Sequence, residues 1–140
     1  GFGNPRRMAT GFDYNRLSLL LAVLEKRAGY FFSNQDAYIN VVGGMRLDEP
    51  AADLPVALSL ISSLKDVAIS GDVVAFGEIG LAGEIRSISN TEARIGEAVR
   101  LGFKKILLPH QNLKNAAKRP GIQIEGVKTL REAFEVSVQS

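Results

Sequence analysis

A chain of 140 residues, 46% of them apolar, is long enough to bury a core as one domain without covalent cross-links. It has no cysteine and a single histidine, which excludes thiol, iron–sulfur and clustered zinc chemistry and fits a reducing cytoplasm. The net charge is only +2, and the longest apolar run, Leu17 to Leu24, contains Ser18 and falls short of the roughly 18–20 residues of a membrane span, so no membrane partner is expected.

The charge is segregated along the chain. Residues 1–46 sum to +3, residues 47–99 to −6 and residues 100–140 to +5. Such a distribution permits a basic face on a nearly neutral protein, which suits a polyanionic partner. Because the chain opens on Gly1 with no signal-peptide pattern, residues 1–140 are expected to be one domain excised from a longer protein.

Taken in order, the elements begin with a strand beside Arg7. Leu17, Leu20, Leu21 and Leu24 recur at helical spacing, which predicts a helix over Asp13–Gly29. Asp36–Val42 is apolar on both parities and reads as a buried strand ending at Gly43-Gly44. Leu54, Val56, Ala57, Leu60, Ile61 and Leu64 predict a second helix; Pro55 is tolerated only in a first turn, so this helix must begin close to Ala52. Asp72–Phe76 is a short strand, and Gly77 to Arg86 reads as a glycine-punctuated hairpin.

Ser89-Asn90-Thr91-Glu92 has the form of a capping box and predicts a helix over Asn90–Leu101. Lys105–Leu108 is a strand, Pro109–Asn115 a loop or short helix, Gln123–Val127 a strand, and Thr129–Val138 a closing helix. The alternation is that of an α/β domain. The glycines of Gly77–Gly83 do not make a nucleotide site. A Walker loop needs Gly-Lys-Ser/Thr opening a helix and a dinucleotide site needs G-x-G-x-x-G between strand and helix, and neither is present.

Several strings together carry a family resemblance: Asn4-Pro5-Arg6-Arg7, Asn15 to Leu20, Asn34 to Tyr38, Val42-Gly43-Gly44, Leu47-Asp48-Glu49-Pro50 and, above all, Gly77 to Arg86. Gly43 to Asn112 resembles the proteolytic domain of Lon-type serine proteases. Nearly the whole chain is similar to the carboxy-terminal, Lon protease-like domain of the bacterial RadA (Sms) recombination family. The resemblance implies an α/β (α+β) fold of the Lon proteolytic-domain type, like ribosomal protein S5 domain 2. It also implies upstream zinc-binding and RecA-type ATPase segments, so that ATP, magnesium and zinc belong there and no cofactor belongs here. A hexameric ring acting on DNA in recombination, repair and branch migration is implied as well.

In the register set by Pro50 and Gly77, Ala51 takes the position of the Lon serine and Arg94 that of the lysine. Alanine has no nucleophilic atom. A guanidinium stays protonated throughout the working pH range and cannot serve as a neutral base. No catalytic residue is therefore expected. Ser59, Ser62 and Ser63 fall within a helix, where their hydroxyls are expected at the surface or bonded back to the chain, and His110 is expected in a loop or cap.

Four arginines are the candidate DNA contacts: Arg7, Arg16, Arg46 and Arg86, each at an element boundary or in one of the strings above. Arg16 flanks the apolar stripe of its helix. Pairing with Asp13, Glu49 or Glu84 is the structural alternative, and Arg94 adds charge near the hairpin. Aromatic residues do not interleave with these charges, which favours phosphate-backbone contact over base stacking. A ring-building module without DNA contact, a cryptic peptidase and a peptide-binding cleft are the other readings.

Overall fold

The structure, a computed structural model, describes residues 7–10, 19, 20, 22, 23, 26, 37–40 and 50–138. Strand β1 (Arg7–Thr10) pairs in parallel with β2 (Ala37–Asn40), with Arg7 opposite Ala37 and Thr10 opposite Asn40. The described residues between these strands, 19, 20, 22, 23 and 26, are helical, as the leucine spacing requires. A 3-10 turn at Pro50–Ala52 leads into helix α1 (Asp53–Lys65). Pro55 sits in its first turn, where the missing N–H has no intrahelical partner to lose.

Strands β3 (Val73–Ala75), β6 (Lys105–Pro109) and β7 (Gln123–Val127) form a parallel sheet in the order β3-β6-β7. Between them come the antiparallel hairpin of β4 (Glu78–Ile79) and β5 (Ile85–Arg86) and the helix α2 (Thr91–Arg100). Helix α3 (Leu130–Val138) closes the described chain. The α/β architecture is the one expected from the sequence.

Burial on both faces of the sheet follows from its parallel pairing, because the crossover helices must lie over it. The central strand β6 shows this directly. Leu107 packs into one cluster with Leu54, Leu60 and Ile61 of α1 and Leu130 and Phe134 of α3. Its neighbours Ile106 and Leu108 join a second cluster with Ala51, Phe76, Ile122 and Ile95 and Ala98 of α2. All three β6 side chains are fully buried, each contributing about 1.5–3 kcal/mol relative to exposure.

Helix ends follow two solutions. Helix α2 ends on Gly102 at φ +88°, with Phe103 N–H donating to Ala98 O at 3.0 Å and Gly102 N–H to Val99 O at 3.0 Å. Helix α1 makes the same motif through Asp66 at φ 55°, with Val67 N–H donating to Ser62 O at 3.1 Å. Glycine meets no Cβ penalty in this conformation, whereas aspartate is one of the few other residues that tolerate it.

The capping box expected at Ser89–Glu92 does not form. Asn90 occupies the N-cap in a left-handed conformation, φ 60°, with no side-chain cap hydrogen bond. The Glu92 carboxylate instead accepts from Ala117 N–H at 2.9 Å and pairs with Arg119. A charge-assisted contact that also anchors a distant loop displaces the local cap. Helix α3 does make such an arrangement: Glu132 N–H donates to Thr129 Oγ1 at 3.1 Å, and the Glu132 carboxylate accepts from Lys128 N–H at 2.8 Å.

Candidate functional site

The turn that carries Ala51 is clamped to the hairpin by the backbone. Gly77 N–H donates to Ala51 O and Leu54 N–H donates to Gly77 O, both at 2.9 Å. The approach is close at Gly77, where a Cβ would lie 3.2 Å from the Leu54 side chain and 3.3 Å from Ile85. Ala51 is 3% exposed and belongs to the cluster of Phe76, Ile95 and Ala98. Position 51 is thus part of the packed core.

Arg94 stands on α2 at the edge of the same cluster. Its guanidinium carbon lies 5.2 Å from the centroid of the Phe76 ring, and its Nε donates to Ser89 O at 2.9 Å. A cation held over an aromatic face gains about 0.5–1 kcal/mol where solvent reaches it. Ala51 and Arg94 are therefore connected through Phe76. Arg94 ties the start of α2 to Phe76 and Ser89 while remaining half-buried.

Asp53 had no signal in the sequence beyond its place at a helix start. It is 2% exposed, and its Oδ2 accepts from Ile79 N–H at 3.0 Å. It thereby ties β4 to the first turn of α1, where a carboxylate is also favoured by the helix dipole.

Of the four candidate DNA-binding arginines, Arg86 is the one whose side chain the structure describes. It ends β5, is 59% exposed at its side chain, and lies 3.9 Å from the Glu84 carboxylate. An exposed pair at that distance is weak, about 0–1 kcal/mol, and leaves the guanidinium accessible to an anion. Glu84 has a second role, accepting from Ala82 N–H at 3.1 Å inside the turn that Gly83 closes at φ 86°. The backbone of Arg7 lies within β1, not beside it. Its side chain, Arg16 and Arg46 lie outside the described residues.

The serines behave as expected of helix hydroxyls: Ser59 Oγ donates to Pro55 O at 2.9 Å and Ser62 Oγ to Val67 O at 2.6 Å. His110 is exposed and opens a 3-10 segment, His110–Asn115. Within that segment, Asn112 is 2% exposed and locks the loop before α2. Its Oδ1 accepts from Ile88 N–H at 3.0 Å, and its Nδ2 donates to Ile88 O at 2.9 Å and to Thr91 Oγ1 at 3.1 Å. A carboxamide supplies the acceptor and the two donors that the backbone of Ile88 and the Thr91 hydroxyl require. A lone asparagine in a polar loop carried no sequence signal of that role.

Among the described residues no group of three or more histidine and acidic side chains could hold a metal ion, and no helix is long and apolar enough to cross a membrane.

With the site described, comparison with known proteins places the chain in a class. Residues 16–112 match the family described as subunit ChlI of Mg-chelatase, and as this is more than half of its length the chain belongs to that family. Along nearly its whole length it is similar to proteins named DNA repair protein RadA. The relative from Halalkalibacterium halodurans is 52% identical over 98% of this chain and 30% of its own length. That from Bacillus subtilis is 50% identical over 98% and 30%, and that from Streptococcus pneumoniae 48% over 96% and 32%. The chain thus spans about a third or less of the relatives it matches, and the resemblance to RadA drawn from its motifs holds.

Proposed function

We propose that this chain is a non-proteolytic, DNA-contacting domain of a cytoplasmic RadA-like DNA repair and recombination protein. The observation that carries the reading is the similarity of about one half identity, along nearly the whole chain, to proteins named for DNA repair. The buried alanine at position 51 and the engaged arginine at position 94 support the loss of cutting. Residues 1–140 act as one domain of a longer protein whose ATP, magnesium and zinc sites lie elsewhere in that protein. It contributes phosphate contacts and subunit contacts to a hexameric, ATP-driven ring that migrates or unwinds branched DNA.

Arg7, Arg16, Arg46 and Arg86 supply the phosphate contacts. Each phosphate neutralised releases condensed counterions and adds about 1 to the salt slope of binding. In titrations of a duplex oligonucleotide at several salt concentrations, Arg46→Ala and Arg86→Ala should each weaken binding on all sequences and lower that slope. Unchanged affinity and slope would remove both residues from the interface.

Exposed leucines favour a second reading, in which the domain mainly builds the ring. Leu81 at the hairpin tip is 69% exposed, Leu101 59% and Leu19 49%. Sedimentation decides: assembly of the chain without DNA affinity at low salt would favour this reading over the first.

A further inference from the structure

A groove of about 540 Å³ opens beside the hairpin, lined by Ser87, Ile88, Gln111, Asn112, Lys114 and Asn115. We infer that this groove holds one nucleotide of a single nucleic-acid strand, with a backbone phosphate on Lys114. The inference rests on the DNA-contacting reading and adds a second, separate contact to it.

Four observations carry it. Among the described residues no acidic side chain lines the groove, while it offers an ammonium group, a hydroxyl from Ser87 and carboxamides from Gln111 and Asn115. That is a set of donors without a carboxylate to repel an anion. Second, Ser87 of the lining directly follows Arg86, whose side chain is exposed. Third, the floor is rigid. Asn112 fixes both backbone groups of Ile88, and Leu113 packs so closely on β7 that a Cβ at Gly126 would come within 2.5 Å of it.

The fourth observation is size. Small-ligand sites measure about 300–1,000 Å³, so the groove has room for a nucleotide. An unstacked strand can lower one sugar and base against Ile88, with the carboxamides meeting base or sugar edges. Among the described residues the lining has no aromatic side chain, so sequence preference should be slight.

The test uses the 140-residue chain and two probes. A fluorescein-labelled oligothymidylate is titrated by anisotropy at low salt, and the dinucleotide pTpT is titrated into the ¹⁵N-labelled chain. Lys114→Gln should weaken oligothymidylate binding about five- to tenfold and lower the salt slope by about 1, with Lys114→Arg restoring most of it. Lys128→Gln, on an exposed lysine that does not line the groove, should change neither. The pTpT shifts should centre on Ser87, Ile88 and residues 111–115.

Unchanged binding in Lys114→Gln, or pTpT shifts that avoid these residues, overturns the groove. If Arg86→Ala still weakens duplex binding in that case, the DNA-contacting reading survives without it. Loss of all DNA binding in the unmutated chain at low salt overturns both.

Discussion

Two neighbouring regions meet at the hairpin and differ in kind. On one side, Ala51, Phe76 and Arg94 form a closed assembly in which an alanine is buried in the core and a guanidinium lies on an aromatic ring. On the other, Arg86 and the groove from Ser87 to Asn115 are open and polar, with no acidic lining among the described residues. The first region is packed core. The second keeps an exposed guanidinium and polar side chains at the surface. A side chain enclosed by core neighbours contributes packing, whereas a charge left at the rim remains accessible chemistry.

The sharpest way to break this contrast is to open the closed side. Phe76→Ala removes a nearly buried ring shared by the second core cluster and by Arg94, and should cost about 3–5 kcal/mol in urea unfolding. A loss below about 1 kcal/mol would show that the pocket is not a packed core. Next in size is Asn112→Ala, which orphans the N–H and C=O of Ile88 and should cost about 1–3 kcal/mol for each group left buried without a partner. It should also scramble the groove's amide signals.

Ala51→Ser places a hydroxyl among apolar neighbours, at a cost of about 1–3 kcal/mol. Neither it nor the double variant with Arg94→Lys should react with a fluorophosphonate probe, and labelling of either would reopen the protease reading. The smallest effect belongs to Arg86→Ala, whose exposed pair with Glu84 should change stability by no more than about 0.5 kcal/mol. Its effect belongs to DNA affinity, so a large drop in melting temperature would move Arg86 to the structural side.

How much of this was legible in the sequence depends on range. Helix α1, strand β7 and the hairpin were readable because their signals are local: leucine spacing, alternation and glycine punctuation within a few residues. Gly102 stands just past the end of α2 in the left-handed conformation, and Asp66 does the same work at the end of α1 without a glycine. The cap of α2 was misread because Glu92 had two partners available, and the distant pair, Ala117 and Arg119, offered more hydrogen bonds than the local one.

The sequence by itself determined that the chain forms an α/β domain and that position 51 carries no nucleophile. Those facts follow from side-chain type and from periodicities shorter than a helical turn or a pleat. Only the tertiary structure decided that Asp53 bonds to Ile79, 26 residues away, and that Asn112 secures Ile88, 24 residues away. It likewise decided that Arg94 lies on Phe76. A polar side chain can satisfy its hydrogen bonds in many places, and which one it takes depends on what the packed core brings within 3 Å of it.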